Sequence, residues 1–364
     1  MVTYILGLTH SKLALRADMR ILRTDYMNKE NYAGFVRQIV NFSNGMILVL
    51  KVFRSILVWQ PDIVHIQANS GYGFFEKSFL ALMGRFLGRS TLVHVHGGGF
   101  RDFYYRSNRI VQELIRWCGE IPDCIVVASP QMLDTWRIIG LAEERIIWIN
   151  NAVRLPENGI WDNPKDDKLI KDGIASTINV LFLTRIALEK GIIELIEAIA
   201  LLAKSFPMIR LRIVGVESQE SLEAKDRIRK LSLDEKIDYI GTVSEEQKQA
   251  EFLAADIYAF PTHVEDQSYA VLEAISYGLP CVASAVGGVP SIIESGVNGL
   301  LVPPKNVKDL ADAIERLIRN PDLRRQLGIA GRKTVEERFT WDRPADEMYS
   351  LYEKITKERG LFPS

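Results

Sequence analysis

The chain has 364 residues, of which 47% are hydrophobic and 25% are charged, a balance that argues against disorder and fits an ordinary globular protein. At roughly 150 residues for each domain, this length predicts two domains. The three cysteines, Cys118, Cys124 and Cys281, form no CxxC pair, which argues against a disulfide framework and a thiolate zinc site. We therefore expect a reducing compartment and a cytoplasmic location.

Three further features bear on secretion, membranes and anionic partners. The chain starts MVTYILGLTH, without the basic region of a secretory signal, so no leader is expected. The longest apolar stretch, residues 46–59, is short and carries Lys51 and Arg54, which makes it a poor membrane span. Residues 1–150 hold 17 Lys and Arg against 12 Asp and Glu, whereas the remainder holds 28 against 34. The basic first half fits a membrane face or a phosphorylated substrate, although a chance distribution of surface charge fits as well.

Short apolar runs rich in β-branched residues alternate with helical patterns along the chain. In the first half, the predicted strands are residues 3–9, 62–68, 91–96, 123–129 and 146–153. Amphipathic helical segments are predicted between them, for example over residues 75–87 and 102–117. In the second half, the predicted strands are residues 178–185, 209–215, 237–242, 257–262, 279–284 and 299–303. This βαβα order predicts an α/β fold with parallel sheets buried on both faces.

The predicted elements fall into two groups, separated by a polar segment. Residues 156–176 contain two prolines and two glycines and show no periodicity, which predicts a linker. We therefore predict an N-terminal domain over residues 1–155 and a second domain over residues 177–343. Both are expected to be doubly wound, Rossmann-like domains that face each other across a cleft, with ligands at the carboxyl ends of the strands.

The sharpest group of polar residues is a pair of glutamates, Glu265 and Glu273, in the run HVEDQSYAVLEAISYGLP. A predicted strand leads into this run, and a helix is predicted to begin near Ser268. Free amides at a helix start bind phosphate, and carboxylates nearby can accept hydrogen bonds from sugar hydroxyl groups. This combination suits a sugar nucleotide. An exposed loop acid and a helix-surface acid are the plainer interpretation, and spacing alone favours it.

Cations and glycines follow the strands that precede this pair. Arg185 and Lys190 lie in LTRIALEKG between a strand and a helix, where cations can neutralise a diphosphate. Ordinary exposed basic residues would give the same pattern. Gly215 and Gly241 end the next two strands, in IVG and YIGT. A glycine at a strand end lets the backbone approach a flat base closely, and it is equally a common turn residue.

From residue 178 to about residue 341, the chain resembles the donor-binding domain of the retaining glycosyltransferases of family 4, which have the GT-B architecture. The resemblance rests on TRIALEKG, IVG, YIGTVS, the Glu265-x7-Glu273 spacing and the run LEAISYGLPCVASAVGGVPSIIESGVNGLLVPP. It covers nearly half of the chain, and the motifs stand in the family's order. In the first half, PDIVHIQ and HVHGGGF are similar to the acceptor domain of the same family.

The resemblance implies a role for each matching residue. Arg185 and Lys190 would hold the donor diphosphate, Glu273 would bind the ribose, and Glu265 would contact the transferred hexose. A strand-end histidine, His96, would lie near the same sugar. The residues predicted as catalytic are therefore Arg185, Lys190, Glu265 and His96. The residues predicted to bind the donor are Glu273, Gly215, Gly241, Asp266, Gln267, Ser268 and Tyr269. The family often has E-G-F-G where this chain has EDQS at 265–268, which leaves the identity of the hexose open.

The other histidines are assigned structural positions. We expect the His94 side chain on the opposite side of the strand from His96, and His65 in DIVHIQ as a hydrogen-bonded core histidine. His10 and His263 have no partner at a spacing that predicts a metal site. A capping hydrogen bond to the backbone is the alternative interpretation of His96.

Two further segments, one near each end of the chain, bear on the resemblance to this family. The first predicted strand, TYILGLT, is followed by HSKLALRADMR instead of the family's Gly-Gly loop, so it resembles the family's second strand. Near the C-terminus, residues 341–357 place Met348, Leu351, Tyr352 and Ile355 at helical spacing. The resemblance implies that this last helix, over about residues 344–364, packs back on the first domain.

The expected function is transfer of a hexose-type sugar from a nucleotide-diphosphate sugar to an acceptor hydroxyl, with retention, in surface polysaccharide or glycolipid assembly. Because no Asp-x-Asp motif lies in a suitable loop, no metal and no cofactor other than the co-substrate are expected. The basic first half and the apolar run 81–86, with Arg85 and Arg89, indicate peripheral contact with the inner face of the plasma membrane and a sugar or lipid-linked acceptor. A core-facing helix is the alternative there. No nucleic acid partner is expected.

Three other functions remain open at this point. A GT-B sugar-nucleotide epimerase would release a free epimer without an acceptor. A non-catalytic sugar-nucleotide-binding protein is compatible with the missing Gly-Gly loop. A nicotinamide dehydrogenase is the weakest alternative, because Gly71-Tyr72-Gly73 is followed by Glu76 where the dinucleotide fingerprint has its third glycine.

Overall fold

The structure, a computed structural model, describes residues 2–22, 34–156 and 177–358. These residues fall into two compact units. Unit 1 lies within Met1–Ala128, Met132–Ile149 and Ala345–Ser364, and unit 2 lies within Ser129–Gln131 and Asn150–Pro344. Most of the predicted linker, residues 157–176, lies outside the described residues.

Unit 1 is built on a parallel sheet with the strand order β1-β2-β3-β4. Its strands are β1 (Ile63–Asn69), β2 (Ser90–His96), β3 (Cys124–Val127) and β4 (Ile146–Trp148). The helices before β1 are α1 (Val2–Thr9), α2 (Leu13–Arg16) and α3 (Gly34–Trp59). The helices between the later strands are α4 (Gly73–Phe86), α5 (Phe100–Arg106), α6 (Arg109–Glu120) and α7 (Pro130–Ile139).

Unit 2 is built on a second parallel sheet with the strand order β10-β9-β8-β5-β6-β7. Its strands are β5 (Ile178–Leu183), β6 (Ile209–Val214), β7 (Ile237–Gly241), β8 (Ile257–Phe260), β9 (Cys281–Ser284) and β10 (Leu300–Val302). Its helices are α8 (Ile192–Leu202), α9 (Ser221–Lys230), α10 (Glu245–Ala254), α11 (Tyr269–Ser276), α12 (Val307–Arg319) and α13 (Pro321–Arg338). The last helix, α14 (Asp342–Glu358), runs from the end of unit 2 into unit 1.

Alternate residues of β5 explain why its sequence is a continuous apolar run. Val180 and Phe182 pack in one hydrophobic cluster, and Leu181 and Leu183 pack in another. Successive side chains of a strand point to opposite faces, so both faces of the sheet are covered here. The predicted α/β class with parallel sheets and Rossmann-like domains is confirmed.

The predicted first strand, residues 3–9, is wrong, because this segment forms α1. Tyr4 and Leu8 are fully buried or nearly so, whereas Leu6 between them is 44% exposed. Burial at positions four apart is the pattern of one helix face, and a strand would bury positions two apart. The comparison of this segment with a second strand of the family is therefore wrong as well.

The predicted helix over residues 102–117 is wrong as a single segment. The structure ends α5 at Arg106 and begins α6 at Arg109. Asn108 separates the two, and its side-chain oxygen accepts a hydrogen bond of 3.0 Å from the Val111 amide, which caps α6. The other predicted strands all form, although the run 146–153 is strand only as far as Trp148.

The last helix is amphipathic. Met348, Leu351 and Ile355 of α14 are buried, and Tyr352 bonds through its hydroxyl group to His65 Nδ1 at 2.7 Å. Asp346 of α14 also forms an ion pair of 2.9 Å with Arg16. Within the three described ranges, no helix combines the length and the apolar character that a bilayer span requires.

Candidate functional site

The strand order of unit 2 reverses between β5 and β8. The chain runs from β5 outward to β6 and β7, then returns to place β8 on the other side of β5 and continues to β9 and β10. The loops that follow β5 and β8 therefore leave the carboxyl edge of the sheet in opposite directions. Ligands of open α/β sheets bind at such switch points, so these two loops are the expected ligand site.

The loop after β5 carries both predicted cations. Arg185 is exposed and pairs with the Glu189 carboxylate. Lys190 is only 14% exposed, and its Nζ lies 3.0 Å from Glu265 Oε2 and 5.8 Å from the centroid of the Phe260 ring. The structure thus brings two predicted catalytic residues, Lys190 and Glu265, into one ion pair at the switch point. An ammonium with three N–H donors retains donors for a further acceptor when one carboxylate is bound.

Backbone hydrogen bonds fix the loops on which this ion pair stands. The Glu189 carbonyl oxygen accepts from Thr262 Oγ1 at 3.1 Å and from the His263 amide at 2.8 Å. His263 Nε2 lies 2.8 Å from Glu194 Oε1 of α8. The loop after β8 is therefore bonded to Glu189 and Glu194, one on each side of Lys190 in the sequence, which holds the backbone from which the Lys190 ammonium projects.

The side chains that follow Glu265 are occupied by other parts of unit 2. Asp266 Oδ1 accepts a hydrogen bond from Ser129 Oγ, and the Asp266 carbonyl oxygen accepts from the Gly288 amide at 3.0 Å. Gln267 Oε1 accepts from the Asn151 amide at 2.5 Å, and the Gln267 carbonyl oxygen accepts from Asn151 Nδ2 at 2.8 Å. These two predicted donor-binding residues thus hold the loop in place, and a ligand there would meet the backbone of the loop.

The same network reaches the start of α11. Tyr269 Oη lies 3.1 Å from Asn151 Oδ1, and Gln267 Nε2 donates to Asn150 Oδ1 at 2.8 Å. Ser268 is the N-cap of α11, and its hydroxyl accepts a hydrogen bond from the Val271 amide at 3.4 Å. The predicted helix start near Ser268 is confirmed, and it places the first-turn amides directly after the loop of the Lys190–Glu265 pair.

Glu273 lies in the second turn of α11 and has a partner that sequence reasoning missed. Its Oε1 is 3.0 Å from Lys248 Nζ on α10, and Lys248 also pairs with Glu245 at 2.9 Å. Burial raises the pKa of Glu273, although Lys248 acts in the opposite direction. Glu273 Oε2 makes no hydrogen bond with any residue that the structure describes. One carboxylate oxygen is thus available to accept a hydrogen bond from a hydroxyl group.

The two predicted glycines differ in what surrounds them. Gly215 has φ +149°, and a Cβ there would collide with the Thr184 carbonyl oxygen at the end of β5. Gly215 is therefore required by the packing of the neighbouring strand end. Gly241 has φ +79° and faces nearly open space, with Glu217 Oε1 at 3.8 Å as the nearest atom to a Cβ built there. Close approach to a flat ligand is geometrically possible beside Gly241.

His96 stands at the end of β2 in unit 1, and its neighbours correct one prediction. Its Nε2 lies 2.5 Å from Gln67 Oε1, and its ring stacks on His94 with centroids 4.2 Å apart. The prediction that His94 points to the opposite side is wrong, because residues two apart in a strand share a face. Burial lowers the pKa of His96 to about 3, so its ring is neutral at pH 7. A neutral imidazole can donate one hydrogen bond and accept another.

Within the described parts of the chain, no group of three or more His, Cys, Asp or Glu side chains is placed to hold a metal ion. The three histidine rings of His65, His94 and His96 lie near one another, but as stacked rings.

Two sequence-family models match adjoining parts of the chain. The model described as Glycosyltransferase Family 4 matches residues 25–156, and the model described as Glycosyl transferases group 1 matches residues 157–334. Among curated proteins, the D-inositol 3-phosphate glycosyltransferase of Saccharomonospora viridis is 32% identical over 197 residues, or 51% of this chain and 45% of that protein. The chain therefore spans about half the length of this relative.

A longer match and a solved structure extend the comparison. The capsular polysaccharide biosynthesis glycosyltransferase CapM of Staphylococcus aureus is 28% identical over 267 residues, covering 71% of this chain and 68% of that protein. The crystal structure of Anabaena HepE in complex with UDP matches with a TM-score of 0.69 at 19% identity, covering 84% of this chain and 82% of that chain. At this identity the structural match concerns the fold alone.

Proposed function

This chain belongs to the glycosyltransferases of family 4 and group 1, with GT-B architecture, and on that premise we propose that it moves a hexose-type sugar from a nucleotide-diphosphate sugar to an acceptor hydroxyl group. The observation that carries the proposal is the Lys190–Glu265 ion pair of 3.0 Å at the switch point of the unit 2 sheet. It offers a cation for a diphosphate and a carboxylate for sugar hydroxyl groups within one fixed pair of loops. The UDP bound by the structurally similar HepE supports a nucleotide as the donor's leaving group.

The proposed reaction breaks the bond between the anomeric carbon and the diphosphate oxygen, and it forms a bond from that carbon to the acceptor oxygen. The electron pair of the broken bond leaves with the diphosphate, so negative charge develops there. Lys190, Arg185 and the first-turn amides of α11 would stabilise this charge electrostatically, without a metal ion. The acceptor would attack the face from which the diphosphate departs, with its proton passing to the departing phosphate. The product would then retain its anomeric configuration.

The remaining residues are proposed to orient the donor. Glu273 Oε2 would accept hydrogen bonds from the ribose, and Glu265 would accept them from the hexose. His96, as a neutral imidazole, would contact a hydroxyl group of the transferred sugar. The base would approach the backbone near Gly241. Because Asp266 and Gln267 are bonded to other residues of unit 2, the loop would offer its backbone to the sugar.

We further propose an acceptor in surface polysaccharide or glycolipid assembly, carried at a membrane with which the enzyme makes peripheral contact. The similarity to CapM supports the first part. For the second, α3 exposes Ile47, Leu50 and Leu57 together with Lys51 and Arg54, a combination typical of interfacial helices. In the run 81–86, Phe86 is 86% exposed, whereas Arg85 donates to the Ile121 carbonyl oxygen at 2.7 Å. Sedimentation with anionic and zwitterionic vesicles tests the contact, and binding to neither would contradict it.

A panel of nucleotide sugars tests the function. The protein is incubated with each one, with and without extracted membranes, after exhaustive treatment with EDTA. Release of nucleoside diphosphate that requires the membranes, with the sugar recovered on a membrane lipid or glycan, is the expected result. A new free epimer without membranes would indicate an epimerase instead. Binding without any turnover would indicate a non-catalytic protein, and activity restored only by added metal would contradict metal-independent transfer.

A further inference from the structure

A chain of hydrogen bonds in unit 1 ends on His96. Tyr352 Oη of α14 lies 2.7 Å from His65 Nδ1, and His65 Nε2 lies 2.8 Å from Gln67 Nε2. Gln67 Oε1 in turn lies 2.5 Å from His96 Nε2. Each side chain is thus bonded to the next, from the last helix across β1 to the end of β2.

The parallel register of β1 and β2 explains how these side chains meet. Gln67 lies beside His94 and Asn69 lies beside His96, and residues two apart in each strand share one face of the sheet. The His94 ring stacks between the two other histidines, with centroids 4.2 Å from His96 and 5.8 Å from His65. The stack fixes the plane of the His96 ring, and the bond to Gln67 fixes its rotation.

The side-chain amide of Gln67 determines which atom donates and which accepts in each of these hydrogen bonds. An amide oxygen only accepts hydrogen bonds and an amide nitrogen only donates them. Because Gln67 Oε1 accepts, the His96 Nε2 atom that it contacts must carry a hydrogen. Because Gln67 Nε2 donates, the His65 Nε2 atom that it contacts must be unprotonated. Because burial lowers the pKa of both histidines to about 3, each is neutral and carries one ring hydrogen at pH 7. The hydrogen of His65 is then on Nδ1, from which it is donated to Tyr352 Oη.

We infer that Gln67 is a positioning residue for His96, and that it holds His96 in the single tautomer with hydrogen on Nε2 and an unprotonated Nδ1. The inference rests on the proposed function for the role of His96, but the tautomer is a property of unit 1 by itself. His96 Nδ1 forms no hydrogen bond with any residue in the described part of the chain. A bare Nδ1 accepts a hydrogen bond from a sugar hydroxyl and cannot donate one. The hydrogen bonds from Tyr352 to His96 thus require a hydrogen-bond donor of the substrate at His96 Nδ1, which a hydroxyl group can supply.

Nitrogen NMR of the histidine side chains tests the tautomer in the full chain. The protein is labelled with ¹⁵N-histidine, the signals of His96 are assigned by their loss in His96→Asn, and long-range ¹H–¹⁵N correlations separate protonated from bare ring nitrogens. For the wild type at pH 8, we expect His96 Nε2 protonated and Nδ1 bare. In Gln67→Leu, both nitrogens should shift to intermediate values as the tautomers mix. A wild-type His96 with hydrogen on Nδ1, or a Gln67→Leu spectrum like that of the wild type, overturns the inference.

A second variant keeps the test decisive if Gln67→Leu does not fold. In Gln67→Glu, the carboxylate accepts hydrogen bonds at both oxygens. His96 should therefore keep its hydrogen on Nε2, while His65 must move its hydrogen from Nδ1 to Nε2 and accept from the Tyr352 hydroxyl. A change at His65 without a change at His96 is expected. The reverse pattern overturns the inference.

Turnover separates this inference from the proposed function. Gln67→Leu should lower kcat for sugar transfer by about tenfold, equivalent to the loss of one hydrogen bond, while the calorimetric affinity for UDP stays unchanged. Gln67→Glu should recover most of the kcat. Gln112→Leu is the matched control, because Gln112 Nε2 donates to the Tyr104 carbonyl oxygen in the same unit. If the nitrogen signals behave as expected but no nucleotide sugar is turned over, the tautomer assignment stands and the proposed function fails.

Discussion

Three polar side chains on β1 and β2 of unit 1, His65, Gln67 and His96, are neutral and joined by hydrogen bonds, whereas the candidate site residues of unit 2 form ion pairs. In unit 1, His65, Gln67 and His96 connect β1 to β2, and burial keeps the pKa of both histidines near 3. In unit 2, Lys190 pairs with Glu265, and Lys248 pairs with Glu273. A neutral imidazole suits a sugar hydroxyl, and a paired cation suits a diphosphate.

The two kinds of site tolerate change differently. A series of hydrogen bonds between neutral side chains requires a donor facing an acceptor at each step. It is therefore broken when one histidine changes its tautomer. An ion pair depends on charge, and a buried charge that loses its partner is strongly destabilised. Truncations, substitutions and acidification are therefore expected to affect the two units differently.

Deletion of residues 345–364 should destabilise unit 1 by several kcal/mol and leave unit 2 nearly unchanged. Met348, Leu351 and Ile355 are buried, and each contributes on the order of 1.5–3 kcal/mol by burial alone. Because a typical domain is stable by only about 5–15 kcal/mol, unit 1 should open. Hydrogen exchange resolved by peptide is the measurement.

The shorter deletion of residues 359–364 is the control for this truncation. It should leave exchange in both units as in the full chain. Equal loss of protection in both units after the longer deletion would mean that α14 stabilises unit 2 to the same degree.

Lys190→Ala should reduce sugar transfer by a factor of roughly 100 to 1000, because a preorganised group that stabilises developing charge contributes about 2.7–4 kcal/mol. Steady-state kinetics with the active nucleotide sugar are the measurement. Lys230→Ala is the matched control, since Lys230 pairs with Asp226 on the surface of the same unit. If both variants keep wild-type kcat, Lys190 does not act on the diphosphate.

Glu273→Ala should weaken the binding of UDP by on the order of 1.5–3 kcal/mol, through the loss of one or two hydrogen bonds to a charged acceptor. Calorimetric titration with free UDP measures this change. Glu235→Ala, an exposed carboxylate of the same unit, should bind as the wild type does. An unchanged affinity in a folded Glu273→Ala protein would remove this residue from the ribose site.

As the pH falls, the free energy of unfolding of unit 1 should begin to decrease at a higher pH than that of unit 2. Unfolded histidines have a pKa near 6.5 and take up protons as the pH falls below it, whereas native His94 does not, because burial holds its pKa well below that value. The folded state then loses stability as the pH falls, by about 1 kcal/mol for this residue between pH 6.5 and 5.5. Urea unfolding of unit 1 across this range is the measurement.

Two histidine variants sharpen the pH experiment. His94→Leu should reduce the pH dependence of unit 1 without abolishing it, because His65 and His96 also stay neutral in the folded state. His10→Gln, which alters an exposed histidine, should not reduce it. An identical slope in His94→Leu and the wild type would show that this buried histidine does not cause the acid sensitivity.

The central strands of unit 2, β5, β8 and β9, could be predicted because both faces of the sheet are covered there, so each strand is a nearly continuous buried run. The segment 3–9 was ambiguous for a related reason. A short apolar run with one glycine fits a strand or a buried helix turn equally well, and only the burial of Tyr4 and Leu8 separates the two.

The candidate site was predictable only in part. The positions of Lys190, Glu265 and Ser268 follow from strand ends and a helix start, which are local features of the sequence. The partners of Asp266 and Gln267 are more than a hundred residues away in the chain, so no spacing could indicate them. Lys248 is likewise on another helix from Glu273, and only the fold brings them together.

Binding of a nucleoside diphosphate by unit 2, at the switch point between β5 and β8, underlies the proposed transfer. A crystal structure of the protein with UDP is the decisive experiment. We predict the diphosphate oxygens within hydrogen-bond distance of Lys190 Nζ and of the first-turn amides of α11, with a ribose hydroxyl on Glu273 Oε2. UDP bound away from the loops that follow β5 and β8, without contact to Lys190 or Glu273, would show that the switch point is not the nucleotide site.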